Sequence, residues 1–161
     1  MSNHEINTSI DPEFAGDIDE LWLSNMVAKI LNALNLPTSV ELGVVITDND
    51  TVRQLNRDYR DLDEYTDVLS FHMPYSPLEE QGLPFISPPD NINHLGEIVI
   101  SYPQSVKQAA EHGHETIDEL ILLMIHGVLH LLAYDHELPE EELIMQAKAN
   151  EIKKKVTITE D

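Results

Sequence analysis

With 161 residues and no cysteine, the chain is long enough to bury a core of its own as one domain, and it excludes disulfide staples, thiolate metal sites and cysteine nucleophiles. Acidic residues outnumber basic ones 30 to 9, a formal net charge of −21 with histidine neutral; that sign argues against extensive duplex binding, which leaves a basic footprint, and favours high solubility. Residues 1–20 are polar and acidic without an apolar run, so neither a secretory leader nor a membrane span is expected, and a cytoplasmic protein without a membrane partner follows.

Leu21, Val27, Ile30, Leu31 and Leu34 fall close to helical spacing and predict a first helix over 18–34, ended before Pro37. Ile6 marks a candidate strand ahead of it. The branched apolar run ELGVVIT at 41–47 predicts a strand, after which Asp48, Asn49 and Asp50 offer N-caps for a helix carrying Val52, Leu55 and Tyr59 down to about Asp61. Arg53, Arg57 and Arg60 recur on that helix at i, i+4 and i+7, a cationic stripe. Two further strands are expected at 67–73 (DVLSFHM) and 95–102 (LGEIVISY), separated by a flexible loop at 74–94 with prolines 74, 77, 84, 88 and 89. A short helix over 103–113 has a glycine stop. Thr116 and Glu119 form a TxxE capping-box pattern opening a long helix that is apolar on nearly every side. A last helix over 139–154 starts with Glu140, Glu141 and Glu142 and ends with three lysines, in keeping with the macrodipole. The expected architecture is α/β (α+β): one domain over 1–161, with a single mixed sheet of about four strands packed with helices.

The chemistry concentrates in HGVLHLLAYDH, where His126, His130 and His136 are spaced HxxxHxxxxxH within an apolar segment. At 3.6 residues per turn His126 and His130 share one helix face, and the polar residues after Ala133 end the helix so that the chain carries His136 back toward the same point. Three imidazoles among Leu129, Leu131 and Leu132 are costly to bury unless something satisfies them, and one metal ion serves all three. Such a set leaves a fourth position for water, the arrangement of catalytic zinc. The spacing equals that of metzincin peptidases, HExxHxxGxxH, but Gly127 stands where those enzymes carry the glutamate base and Ala133 where they carry the turn glycine. Asp135, beside the third histidine, is read as a carboxylate that orients a ligand imidazole, with a general-base role as the other option.

The same segment resembles the HGxLHLxGYDH signature of the YbeY family, bacterial metal-dependent endoribonucleases of ribosomal RNA maturation. Upstream, residues 55–60 (LNRDYR), 66–71 (TDVLSF) and 95–98 (LGEI) are similar to that family's LNxxYR, TDVLSF and LGDI segments, in the same order. The resemblance implies one zinc ion at His126, His130 and His136, and a functional arginine at Arg60. It also implies cleavage of single-stranded RNA, with a part in maturing the 3′ end of small-subunit ribosomal RNA and in ribosome quality control; the expected partners are single-stranded ribosomal RNA and the ribosome or ribosomal proteins, whose basic surfaces suit a chain this acidic. Arg60 suits a phosphate clamp, since guanidinium meets phosphate by paired hydrogen bonds; Arg53 and Arg57 are read as ion pairs with nearby aspartates. The chain departs from the family pattern at Ala133, at Glu97 and at His72. His72 and His94 are read as surface residues with accessory ligation as the other option, and His112 and His114 as exposed. Two other functions compete: a non-enzymatic ribosome-associated factor with a structural metal, and a metallopeptidase of metzincin-like spacing.

Overall fold

The computed structural model describes residues 4–34, 36, 39–72, 93–132 and 139–158. Strand β1 (Glu5–Ile10) alternates exposed and half-buried positions, as a strand covered on one side does. Helix α1 (Glu20–Ala33) begins where the Asp19 carboxylate accepts the Trp22 backbone N–H at 3.1 Å. It buries Leu23, Met26, Val27, Ile30 and Leu31. Strand β2 (Val40–Thr47) fully buries Leu42, Val44 and Ile46 on one face. Helix α2 (Asn49–Arg60) is capped by Asp48 on the Thr51 N–H at 2.6 Å and closes on Asp61, which adopts the left-handed conformation at φ 57°.

Strands β3 (Val68–His72) and β4 (Asn93–Ser101) complete the sheet. Its order is β1-β2-β4-β3, with β1, β2 and β4 parallel and β3 antiparallel at one edge. β4 ends at Ser101, one residue earlier than its apolar pattern suggests. The Ser101 hydroxyl accepts the Gln104 N–H at 3.3 Å, and Pro103 in the first turn starts α3 (Tyr102–His112), which stops at Gly113 with φ 72°. Helix α4 (Thr116–Leu131) and helix α5 (Pro139–Ile158) follow, the latter running past the lysine cluster expected to end it.

α1, α4 and α5 share one core with the inward faces of β2 and β4. α2 packs on the opposite face, where Val52 meets Leu69 and Val99. Two helices thus approach the β3 side of the sheet from its two faces. The TxxE capping box does not form: the N-cap of α4 is Glu115, without a side-chain cap bond, and the Glu119 carboxylate is engaged by His112 and His114 instead. Nearly all of the expected loop at 74–94 falls outside the described residues; His94 belongs to β4.

Candidate metal centre

α4 carries ten buried residues among its sixteen, so it can lie only inside the domain. What fixes it against the sheet is Gly127. A Cβ built there would stand 2.8 to 2.9 Å from Cδ1, Cγ1 and Cγ2 of Ile98 on β4, closer than side chains pack. Helix and strand therefore touch through the missing side chain. On β3, Ser70 Oγ lies 3.5 Å from the Gly127 carbonyl oxygen, a long contact from the neighbouring strand.

This seating leaves His126 and His130 half-buried, one helical turn apart, at the end of α4. The helix then stops: the Leu132 N–H is shared between the Val128 and Leu129 carbonyls at 3.0 and 3.2 Å. Two half-buried imidazoles one turn apart at the end of a buried helix fit a nitrogen-rich transition-metal site. His136, Asp135, Tyr134 and Ala133 lie outside the described residues.

The arginine stripe divides as its neighbours dictate. Arg53 donates from Nε to Asp63 at 2.8 Å and lies over the Tyr65 ring, 4.8 Å from its centroid; the Asp63 hydrogen bond, then that of Tyr65, raises its pKa. Arg57 stands 3.6 Å from Asp58. Both are thus surface ion pairs, as read from the sequence. Arg60 is the last residue of α2, and its side chain lies outside the described residues. Asn56 has a role that periodicity hid. It is buried within a polar helix, and its amide donates to the Glu64 carbonyl at 3.2 Å, tying down the chain between α2 and β3. Glu97 is exposed, on the sheet face opposite Ile98 and α4. The side chains of His72 and His94 lie outside the described residues.

A second cluster corrects the expectation that His112 and His114 are both simply exposed. His112 is exposed, but His114 is half-buried, and both rings converge on one oxygen of the buried Glu119. His112 Nδ1 is 3.2 Å and His114 Nε2 2.5 Å from Glu119 Oε1. One donor atom from each residue falls within 4.8 Å of the others, a group able to hold a metal ion.

Residues 6–157 match the family model described as Endoribonuclease YbeY. The chain belongs to the YbeY endoribonuclease family. Among its curated relatives, an Endoribonuclease YbeY of Dehalococcoides mccartyi is 44% identical over 145 residues, covering 89% of this chain and 91% of the relative. One from Geobacillus thermodenitrificans is 44% identical over 136 residues, 81% of each chain. A solution structure of a Thermotoga maritima protein, 24% identical, superposes with a TM-score of 0.61 over 94% of this chain and 88% of that one, a likeness of fold. The YbeY match takes in α2, β3, β4 and the whole of α4, and so every element that carries a candidate site residue. Among the described residues no helix is long and apolar enough to cross a membrane.

Proposed function

We propose that this chain is a zinc-dependent, single-strand-specific endoribonuclease that matures the 3′ end of small-subunit ribosomal RNA in the cytoplasm and takes part in ribosome quality control, working beside ribosomal proteins. The observation that carries this reading is the pair His126 and His130, held at the end of α4 by its Gly127 contact within a chain of the YbeY family. His136 completes the zinc ligands in this reading. Bound there, zinc supplies a Lewis acid and brings a coordinated water toward ionisation near neutral pH. The protein's own part is positional. α4 presents two imidazoles in fixed register, while in this reading Asp135 orients a ligand imidazole and Arg60 clamps a phosphate of the strand to be cut.

Gly127 also weighs against the peptidase alternative. A glutamate at 127 would drive its side chain into Ile98 rather than toward the substrate side, so a metzincin-type base has no room at that position. Incubating the purified protein with single-stranded RNA, with and without a chelator, tests the proposal. Cleavage should stop on chelation and return with zinc, and His130→Ala and Arg60→Ala should each lower the rate by at least about a hundredfold, the scale of one lost electrostatic contact to the transition state. Cleavage that persists through chelation and both substitutions would end this reading.

A further inference from the structure

We propose that His112, His114 and Glu119 form a second transition-metal site, separate from the histidines at the far end of α4, which staples the end of α3 to the start of α4 when a zinc-like divalent ion binds. The separation follows from helix geometry. Glu119 lies seven residues before His126 and eleven before His130, or about 10 and 16 Å along the axis at 1.5 Å per residue. One ion cannot serve both ends.

The donor set is two imidazole nitrogens and one carboxylate oxygen, a combination that zinc accepts while keeping a further position for water. The carboxylate is the unusual member. Glu119's side chain is only 5% exposed, and its ion-pair partners among the described residues are His112 and His114. Burying a carboxylate is costly unless its charge is met. A cation between the three donors meets that charge at once, whereas a proton serves one nitrogen–oxygen contact at a time.

The geometry needs modest adjustment. A tetrahedral ion with bonds of about 2.0 to 2.1 Å holds its donors about 3.4 Å apart. His112 Nδ1 already stands 3.2 Å from Glu119 Oε1, while His114 Nε2, at 2.5 Å, must withdraw by roughly 1 Å, consistent with the same tetrahedral spacing. The rings stand nearly perpendicular, 82° apart with centroids at 5.6 Å, so neither blocks the other's approach to a common point. His112 is 56% exposed, giving the ion an entrance and room for a water ligand. The backbone suits a cation on one side: α3 ends at His112, and its terminal carbonyls carry partial negative charge that offsets the positive N-terminus of α4. Gly113, in the left-handed conformation, turns the chain so that both histidines return to Glu119.

The test counts ions and reads stability, independently of RNA cleavage. Zinc chloride is titrated calorimetrically into the His126→Ala/His130→Ala variant, which lacks the α4-end ligands, and thermal melting is recorded with and without it. That variant is expected to bind one zinc per chain and melt higher in its presence, since an ion that binds only the folded state stabilises it by mass action. Adding His112→Ala, His114→Ala and Glu119→Gln should weaken that binding by at least tenfold and remove the rise in melting temperature, while the fold survives because neither ring belongs to the apolar core and the amide leaves no unpaired buried charge. In an otherwise natural chain, His112→Ala/His114→Ala/Glu119→Gln should lower the zinc count by one and leave chelator-sensitive RNA cleavage in place. No zinc uptake by the His126→Ala/His130→Ala variant, or uptake unchanged by these three further substitutions, overturns the proposal. A failure of RNA cleavage alone would touch only the function proposed above.

Discussion

Gly127 shows how one residue can carry two meanings. In the sequence it stands where a peptidase would hold its base; in the fold it is the point at which α4 touches β4. Gly127→Ala would place a methyl group within 2.9 Å of three Ile98 atoms. Overpacking of this kind costs about 1 to 3 kcal/mol, of which the better helix propensity of alanine returns up to about 1. Urea unfolding should therefore show a net loss of up to about 2 kcal/mol. In the Ile98→Ala background the same substitution should be neutral or stabilising, so the two effects should be strongly non-additive in a double-mutant cycle. Additive losses would mean that the contact is not what requires glycine. Asp61 is the other residue under local constraint. As the non-glycine position with positive φ among the described residues, it should tolerate Asp61→Gly, whereas Asp61→Val should destabilise by about 1 to 2 kcal/mol because a branched side chain resists that conformation.

Most element boundaries were legible because their signals are local. Asp48 caps α2, Gly113 ends α3, and a branched apolar run marks β2; the Asp19 and Ser101 caps went unread, so α1 begins two residues later than expected and β4 ends one earlier. The TxxE pattern misled for the opposite reason: whether Glu119 turns back to the chain or toward His112 and His114 depends on where α3 ends, which no short window contains. Asn56 was illegible likewise, since its burial comes from the segment that returns beneath it. The pairing of β1 with β2 has a local feature that can be tested by pH. His4 Nδ1 accepts the Val40 N–H at 3.0 Å, and burial lowers its pKa from 6.5. The folded state thus prefers the neutral ring. Its contribution is present above the unfolded pKa and is lost as pH falls through about 6.5 toward the lowered folded value. Midpoints of urea unfolding should drop between pH 7.5 and about 5.5 more steeply in the natural chain than in His4→Phe, which has no proton to gain. Parallel slopes would show that His4 has no such role.

For the whole molecule, the charge of −21 sets the terms of any encounter with RNA. Both partners are polyanions, so at low ionic strength they repel over about 30 Å, and over about 8 Å near 0.15 M salt. Cleavage of free RNA should therefore accelerate several-fold as salt is raised over that range, the reverse of a basic nuclease, whose binding weakens with salt. A monotonic fall in rate would show instead that the local arginine stripe of α2, and not the net charge, governs the encounter. The fold class and the two α4 histidines were readable because periodicity and spacing encode them. The strand order was not, because it depends on contacts between distant segments: β4 lies between β2 and β3, and β3 is the one antiparallel member.

That order has a consequence for the protein's own synthesis. β1, α1 and β2 leave the ribosome together and can pair at once, but the partner on β2's other side is β4, made only after α2, β3 and the intervening chain. Until then the nascent half-sheet presents a raw row of amides and carbonyls, open to strands of other chains. A translational pause placed before β4 should leave that edge open longer and increase aggregation of newly made chains, while the same pause after β4 should have little effect.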